Sequence, residues 1–540
     1  MTESRRQLNA AAARLMAADA SGCLQMCNQL LLEQPGLLEA VHLRGISHAQ
    51  LGNTEQAIAD LSRLWSEQKN NLHAALALGG QLRLAGRFEE AVAPLTAASL
   101  QPKLEIDARY ELARVLTRLR RADDAMNEYK KVLLRNPEHA DAAANLAFLL
   151  ERSSQLDQAM ERADQALALR PGNFMANLSK ATIERRQGNI EAALARLRTL
   201  LQDDLVPLNR SIALNQMGQC FEKNLAWENA FDCIRESNSI LRNHHPHGSP
   251  LHSGSYGMET VRHFRQWLQF NPPAGWSVNA FGNAADPVFL VGFPRSGTTL
   301  LDQALSAHTD IEVMEEHEFL DDVRRNWVDG GRLASIPAMS DADIDSARNS
   351  YLHALSQLRQ HKHKPVVVDK LPLNLVYLFL IHRLFPRSRI VLMLRDPRDV
   401  CLSCYFQAFE LQGAMPYFLD LKDTVSYYDL VMSLATETAR EISNPMITVR
   451  YEDLIREFEP TMRRLTGFLG LTWDAEILSY RQKAQTRAIS TPSYQQVIQP
   501  LYLSSIGRWH NYRQQVEPEF RSLGQWVTHF GYAANPHDSL

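Results

Sequence analysis

The sequence predicts an all-α repeat solenoid followed by an α/β domain with a parallel sheet. The first prediction rests on small residues that recur every 34 residues in the first half of the chain. The second rests on short apolar runs that alternate with helical patterns from Pro287 onward, an order typical of parallel sheets covered by helices. A Gly-bounded loop after the first of these runs also indicates a phosphate-binding arrangement.

Length and charge narrow the classes of protein. A chain of 540 residues is too long for one core, so we expect two or more domains. The net charge of −4 argues against a general nucleic-acid binder. No stretch resembles a membrane span, and the N-terminus lacks the apolar core and cleavage site of a signal peptide. We therefore expect a cytoplasmic protein with no membrane span and no nucleic-acid partner.

Two groups of residues raise the question of a metal site. Two cysteine pairs are close in sequence, Cys23 with Cys27 and Cys401 with Cys404, and four histidines cluster within residues 244–256. Neither group has the companion ligands of a zinc site. We expect the cysteines to be small buried residues on helices, the histidine segment to be an unbound linker, and no metal to take part in the function.

Three series of small residues keep the period of 34 over five positions each. They are Ala57, Ala91, Ala125, Ala159 and Ala193; Gly45, Gly79, Ala113, Ala147 and Ala181; and Ala40, Ala74, Ala108, Ala142 and Ala176. Turn residues Gly52, Gly86 and Gly188 keep the same period. The pattern resembles the tetratricopeptide repeat, a helix–turn–helix unit. Small residues at these positions would let the paired helices pack closely.

The period and the composition divide the chain into three parts. Residues 1–243 hold five to six repeats and a cap, residues 244–286 form a linker and a lead-in helix, and residues 287–540 form the α/β domain. A stack of such repeats presents a concave surface suited to an extended peptide or protein. The alternative is a spacer or a dimerisation arm, which would pair two copies of the chain.

The stretch Val288–Leu301 reads V-F-L-V-G-F-P-R-S-G-T-T-L-L. A buried strand, a loop between Gly292 and Gly297, and a helix that begins at Thr298 would aim backbone N–H groups at an anion. The glycine spacing matches the Walker A loop, but Thr298 stands where that loop has its lysine, and Arg295 lies inside the loop. The loop is therefore predicted to hold a phosphate-like group other than the γ-phosphate of ATP.

Polar residues follow each predicted strand, and they should meet at the carboxyl edge of a parallel sheet. The groups are Arg295 to Thr299 after Val288–Val291, Glu315 to Glu318 after the next helix, Asp369 and Lys370 after Pro365–Val368, Arg395 to Asp399 after Ile390–Leu394, and Arg450 to Leu454 after Met446–Val449. A further cation, Arg508, lies in the segment S-S-I-G-R-W near the C-terminus.

Three of these segments resemble sulfotransferases that use 3′-phosphoadenosine 5′-phosphosulfate, and the pattern is most similar to the tyrosylprotein sulfotransferases. P-R-S-G-T-T-L-L resembles the 5′-phosphosulfate loop, R-D-P-R-D-V-x-x-S resembles the 3′-phosphate motif, and V-R-Y-E-D-L resembles the element whose Tyr contacts adenine. The similarity covers roughly residues 287–510. It implies a P-loop-like parallel-sheet sulfotransferase domain.

The resemblance assigns three catalytic roles. Arg295 matches the loop Arg that steadies the transferring sulfuryl group, and Lys370 matches the Lys that contacts the leaving oxygen. Glu316 matches the second Glu of the family's G-E-E motif, the general base, although Met314 replaces the Gly of that motif. Glu315 or His317 is the alternative base, because the acidic run is also typical of an exposed helix start.

The resemblance also implies a donor site without a metal. It would comprise the loop residues Arg295, Ser296, Gly297, Thr298 and Thr299, the 3′-phosphate pair Arg395 and Ser403, the adenine contact Tyr451, and Ser493 and Arg508. The last two align with a Ser and a Lys of the tyrosylprotein enzymes through V-I-x-P at residues 497–500. Arg395 and Arg398 could instead be ion-pair partners of the neighbouring aspartates.

The implied reaction is transfer of a sulfuryl group to an acceptor hydroxyl, and the favoured acceptor is a peptide tyrosine that the repeats recruit. Tyrosylprotein enzymes are secretory, whereas this sequence shows no signal segment, so a glycan, lipid or small-molecule alcohol is an open alternative. A P-loop kinase using ATP and a non-enzymatic repeat scaffold are the other two readings. The lack of a Walker lysine opposes the kinase, and the intact Arg295, Glu316 and Lys370 oppose the scaffold.

Overall fold

The computed structural model describes residues 3–244, 256–276, 286–329, 331–482 and 505–532. The chain divides into two compact units, Met1–Arg196 and Leu197–Leu540. This division falls inside the segment that the repeat period assigns to the repeats, residues 1–243, and the three-part division stays a prediction. None of the helices in the described ranges is long and apolar enough to cross a membrane.

The first unit is built from helix pairs. Its helices are α1 (Glu3–Met16), α2 (Ala20–Glu33), α3 (Leu38–Gln50), α4 (Thr54–Glu67), α5 (Leu72–Leu84), α6 (Phe88–Ala98), α7 (Glu105–Arg118), α8 (Ala122–Arg135), α9 (Ala140–Arg152), α10 (Leu156–Leu169), α11 (Phe174–Arg186) and α12 (Ile190–Leu200), of which α12 crosses the division. From α1 to α11, each helix packs against the next one along the chain, which confirms the predicted repeat solenoid.

Close packing explains the periodic small residues. A Cβ added at Gly79 would lie 2.3 Å from Leu95 Cγ, and one added at Gly45 would lie 3.0 Å from Leu61 Cγ. The turns repeat as well, because left-handed backbone recurs every 34 residues at Ala18, Gly52, Gly86, Arg120, Ser154 and Gly188. Three of these positions are not glycine, so the backbone keeps a period that the turn glycines show only in part.

A five-stranded parallel sheet forms the centre of the second unit. Its strands are β1 (Val288–Gly292), β2 (Ile311–Glu315), β3 (Val366–Lys370), β4 (Ile390–Leu394) and β5 (Met446–Arg450), in the order β2-β3-β1-β4-β5. Every neighbouring pair is parallel. The predicted α/β class is therefore confirmed, and all strands end at the same edge of the sheet.

Helices precede, connect and follow the strands of this sheet. They are α13 (Pro207–Lys223), α14 (Trp227–His244), α15 (Met258–Phe270), α16 (Thr298–Ser306), α17 (Asp321–Arg324), α18 (Asp341–Leu358), α19 (Leu378–Leu384), α20 (Pro397–Phe406), α21 (Leu421–Ala439), α22 (Tyr451–Arg456), α23 (Phe458–Phe468), α24 (Arg513–Phe520) and α25 (Gly524–His529). The predicted lead-in helix corresponds to α15.

Strand β2 is a strand that the sequence did not predict. Its sequence I-E-V-M-E places the polar Glu312 between apolar residues at the second position of the strand, yet Glu312 is buried. The carboxylate accepts hydrogen bonds from Arg359 Nε at 2.8 Å and from the backbone N–H groups of Gln360 and His361 at 2.7 and 2.9 Å. These partners lie beyond α18, so only the tertiary structure satisfies the charge.

Helices α13 and α14 pack on the sheet-bearing part of the second unit. Asn215 and Asn238 donate to the backbone carbonyls of Phe406 and Tyr405 at 3.3 and 2.9 Å. The buried Phe231 ring lies 5.7 Å from the Tyr405 ring and 6.2 Å from the Phe406 ring, centroid to centroid. The last helix pair with the repeat pattern thus shares a core with α20, the helix that follows β4.

The substitution Phe231→Ala tests this shared core. Because the ring is 4% exposed, we expect the free energy of unfolding of the second unit to fall by about 3–5 kcal/mol. Hydrogen exchange measured by mass spectrometry should accelerate in α20 as well as in α14. Leu95→Ala, which removes a buried side chain of the first unit, is the matched control and should accelerate exchange in α5 and α6. Unchanged exchange in α20 after Phe231→Ala would contradict the packing.

Candidate active site

The phosphate loop joins β1 to α16 as the sequence predicts. Gly297 precedes the helix with a φ of 103°, and Arg295 also adopts left-handed backbone with a φ of 68°. The first N–H groups of a helix have no partner within that helix, so those of α16 are available to an anion. Ser296 Oγ is buried and has no hydrogen-bond partner among the described residues. This geometry fits a bound phosphate or sulfate group.

Both loop glycines are required by space. A Cβ at Gly292 would lie 2.7 Å from the Met393 carbonyl oxygen, and a Cβ at Gly297 would lie 2.5 Å from Cδ2 of Tyr451. The ring of Tyr451, the first residue of α22, therefore lies directly against the loop. The residues after β1 and β5, which are far apart in sequence, meet at this point.

Arg295 also connects the loop to α20. Its Nε donates to Ser403 Oγ at 3.1 Å, and its carbonyl oxygen accepts a hydrogen bond from Arg395 Nη1 at 3.3 Å. Cys404 Sγ contacts the Pro294 carbonyl oxygen at 3.3 Å from the same helix. The structure thus brings the predicted 5′-phosphosulfate loop and the predicted 3′-phosphate pair together.

Arg395 lies between the loop, Tyr451 and the C-terminal segment. Its Nη2 donates to the Ser505 carbonyl oxygen at 2.5 Å, and its guanidinium carbon lies 4.8 Å from the Tyr451 ring centroid. Tyr451 Oη and Ser505 Oγ are 2.9 Å apart. Arg395 Nε is buried without a hydrogen-bond partner in the described part of the chain. Like Ser296, it offers a donor that a bound anion would satisfy.

The other charges of R-D-P-R-D hold the surrounding structure. Arg398 forms an ion pair with Asp396 at 2.6 Å, as one of the alternatives for this motif anticipated. Asp399 accepts hydrogen bonds from the backbone N–H groups of Gly507 and Trp509 at 2.7 and 2.9 Å. Burial raises the pKa of Asp399 to about 6. Asp399 therefore fixes the C-terminal segment that contacts Arg395.

The Lys370 ammonium group lies at the end of β3 among three carboxylates. Its Nζ is 3.0 Å from Glu316 Oε1, 3.1 Å from Asp302 Oδ2 and 3.7 Å from Glu315 Oε1. The side chain is fully buried. Burial alone lowers the pKa of a lysine, but these carboxylates outweigh it and raise the pKa of Lys370 above its usual range. Lys370 is therefore a fixed cation.

Glu316 is placed by strand pairing rather than by a helix start. It directly follows β2, and its backbone N–H donates to the Lys370 carbonyl oxygen at 2.8 Å. The backbone of Glu316 is left-handed, with a φ of 55°. This conformation is uncommon for Glu and turns the chain at the strand end. Met314, which stands where the related motif has Gly, is a buried residue of β2. Although Met314 replaces that Gly, the carboxylates of Glu315 and Glu316 both lie next to Lys370.

Two buried aspartates lie beside Lys370, and the sequence predicted a role for neither of them. Asp302 lies on α16, one turn beyond Thr298, and Gln303 Nε2 donates to its Oδ1 at 2.8 Å. Asp369 Oδ2 accepts a hydrogen bond from Tyr351 Oη at 2.8 Å. Burial raises the pKa of each aspartate to about 7. A polar residue inside an apolar helix pattern was the only signal of Asp302 in the sequence.

Two further residues that are predicted to contact the donor are Arg508 and Ser493. Arg508 forms a bidentate ion pair with Glu222 of α13, with Nε and Nη2 at 2.5 and 2.9 Å from the two carboxylate oxygens. Its contact with the nucleotide stays a prediction. Ser493 lies outside the described residues. The structure therefore brings together Arg295, Ser403, Arg395 and Tyr451 on one side, and Glu316 with Lys370 on the other.

A helical-repeat unit and a parallel-sheet unit with a phosphate loop define a two-part protein with a group-transfer site. Residues 287–475 match the sulfotransferase family, and residues 110–174 match the tetratricopeptide repeat. The C-terminal region is thus a sulfotransferase domain, and the N-terminal region contains tetratricopeptide repeats. Both resemblances predicted from the sequence are confirmed.

Three related proteins are identical to this chain at about one quarter of the aligned positions. Protein-tyrosine sulfotransferase 1 of Danio rerio is 25% identical over 46% of this chain and 72% of its own length. Protein-tyrosine sulfotransferase A of Caenorhabditis elegans is 23% identical over 48% of this chain and 70% of its own length. An uncharacterized protein of Aquifex aeolicus is 25% identical over 61% of this chain, which spans 43% of that protein.

The raised pKa of Asp369 predicts how stability depends on pH. The folded state keeps a proton on Asp369 up to about pH 7, whereas the unfolded chain releases it near 3.8, so this group lowers the free energy of unfolding as pH rises between these values. Asp369→Asn should remove that slope and raise the free energy of unfolding at pH 8 by on the order of 4 kcal/mol.

Urea unfolding at pH 4 and pH 8 measures this effect. The control Asp286→Asn breaks a buried ion pair with Arg348, 2.8 Å long, and should destabilise the protein at pH 8. An equal pH slope in Asp369→Asn and the unsubstituted protein would contradict the assignment.

Proposed function

We propose that this protein transfers a sulfuryl group from 3′-phosphoadenosine 5′-phosphosulfate to an acceptor hydroxyl by in-line displacement. The observation that supports this proposal most directly is the Glu316–Lys370 pair. Its carboxylate and its fixed ammonium group are 3.0 Å apart, at the strand ends beside the phosphate loop. One group can accept a proton while the other stabilises a leaving oxygen. The match of residues 287–475 to the sulfotransferase family supports the reaction class.

The bond changes assign a role to each group. The acceptor oxygen forms a bond to sulfur, the bond between sulfur and the bridging phosphate oxygen breaks, and its electron pair stays on the phosphate. Glu316 takes the hydroxyl proton, a role typically worth ~10²–10⁴ in rate. Lys370 and Arg295 offset the charge that develops on the leaving phosphate. No metal is needed in this scheme, since these two cations do that work.

The donor is held at two places. Ser296, Thr298, Thr299 and the start of α16 would bind the 5′-phosphosulfate, and Ser296 Oγ, which has no hydrogen-bond partner among the described residues, supports this. Arg395 and Ser403 would bind the 3′-phosphate, and Arg395 Nε, which has no partner within the described ranges either, would be the available donor. Tyr451 would contact the adenine, and Arg508 and Ser493 would complete the site.

For the acceptor we favour a tyrosine of a peptide or protein that the repeats recruit. Two named relatives are protein-tyrosine sulfotransferases, and tetratricopeptide repeats suit extended chains. A glycan, lipid or small-molecule alcohol is the alternative acceptor class. The cytoplasmic location expected from the sequence stays a prediction.

Calorimetry with two nucleotides tests the donor. We expect adenosine 3′,5′-bisphosphate to bind and ATP, which lacks the 3′-phosphate, to bind far more weakly. Arg395→Ala should weaken bisphosphate binding by roughly 10–100-fold, because it removes a charged hydrogen-bond donor. Arg265→Ala, which breaks an ion pair with Glu437 between α15 and α21, is the control and should leave this affinity unchanged. Tight ATP binding without a response to the bisphosphate would indicate a kinase instead.

Single substitutions test the catalytic pair. With a ³⁵S-labelled donor and acidic tyrosine peptides or a native extract as acceptors, Glu316→Ala and Lys370→Ala should each lower kcat by roughly 10²-fold or more. Bisphosphate affinity should change only a few-fold, since neither residue lies at the 3′-phosphate pair. Glu315→Gln is the matched control. Full activity of Glu316→Ala with an inactive Glu315→Gln would move the base to Glu315, and no transfer by the unsubstituted protein would favour a scaffold.

A further inference from the structure

Asp302 is a buried acid of the active site that the proposed reaction does not use. Its side chain is 1% exposed, and its Oδ2 lies 3.1 Å from Lys370 Nζ, on α16 directly behind the phosphate loop. Glu316 Oε1 lies 3.0 Å from the same nitrogen. Lys370 is therefore held between the proposed base and a second carboxylate on a different element.

The number of carboxylates exceeds what neutralising one cation requires. Elsewhere in the second unit, the buried Arg348 pairs with Asp286 at 2.8 Å. Around Lys370 there are instead Asp302, Glu316 and the more distant Glu315. Surplus buried negative charge is costly, and next to a site for an anionic donor it also opposes binding. A purely structural ion pair would not need Asp302.

We propose that Asp302 is a positioning residue that shares the Lys370 ammonium with Glu316, so that the base stays available and the ammonium stays on the donor side. This inference rests on the proposed sulfuryl transfer. An ammonium has three N–H donors. Glu316 accepts one of them, and Asp302 Oδ2 lies at ion-pair distance without a hydrogen-bond partner among the described residues, so an N–H donor remains for the bridging oxygen of the donor nucleotide. Without Asp302, Glu316 and Glu315 alone would attract the ammonium toward the acceptor side.

The charged groups of this cluster come from three elements of the second unit. Glu315 and Glu316 approach from the end of β2, Lys370 from β3, and Asp302 from α16. Asp369 has its Oδ2 engaged by Tyr351. Little solvent reaches the Asp302 carboxylate, and this burial raises the pKa of Asp302 to about 7. Removing the charge of Asp302 leaves the Lys370 charge less compensated, so the ammonium would attract the Glu316 carboxylate more strongly and make it a weaker base.

The test compares Asp302→Asn, Asp302→Glu and the control Asp286→Asn in the full chain. For Asp302→Asn we expect kcat to fall roughly 10–100-fold, KM for the donor to change less than about threefold, and the acidic limb of the kcat–pH profile to move to lower pH. Asp302→Glu should recover part of kcat and the original profile. Asp286→Asn should alter stability only. An unchanged kcat and profile in Asp302→Asn would overturn the proposal.

A second comparison covers the case in which Asp302→Asn does not fold. Lys370→Ala and Lys370→Ala/Asp302→Asn differ only at Asp302, and the double variant buries less charge. If Asp302 acts through Lys370, the two should have the same kcat, and a further loss of more than about threefold would overturn the proposal. Bisphosphate binding and transfer by the unsubstituted protein are measured in parallel. Their absence contradicts the sulfotransferase function itself, whereas their presence confines any failure to Asp302.

Discussion

The buried ammonium group of Lys370 is the constraint on which the active site depends. A fully buried cation is stable only with carboxylates at hydrogen-bonding distance, and these come from α16 and from the end of β2. Strand β2 can supply its carboxylates only because it pairs in parallel with β3, with Glu315 opposite Lys370. The register of an edge strand thus determines where the proposed base lies.

The same edge of the sheet brings together the two groups of residues that are proposed to bind the two ends of the donor. Arg295 has left-handed backbone in the phosphate loop, and its side chain donates a hydrogen bond to Ser403 on α20. Its carbonyl oxygen accepts a hydrogen bond from Arg395. Strain at a loop residue is kept when surrounding contacts over-determine it, and these two contacts do so. The 5′ and 3′ groups of the donor would therefore be sensed by side chains that already contact each other.

The sequence predicted the parts of this site that local pattern encodes. The loop, the R-D-P-R-D-V-x-x-S motif and the periodic small residues each depend on spacing along the chain, so they could be read directly. Strand β2 could not, because Glu312 interrupts its apolar pattern and its carboxylate is satisfied by Arg359 and the chain beyond α18. Asp302 was missed for the same reason, since its partner Lys370 is remote in sequence.

Helices α13 and α14 show a further limit of periodicity. They continue the helix-pair pattern. The sequence period reflects how neighbouring helices pack together, but it does not predict what the outer face of a helix packs against. Here Phe231 packs on Tyr405 and Phe406 of α20, and Glu222 pairs with Arg508 next to the segment that Asp399 fixes. Because that segment also supplies the Ser505 carbonyl oxygen to Arg395, this helix pair takes part in shaping the proposed donor site. The pair therefore supports the candidate active site as well as continuing the repeat pattern.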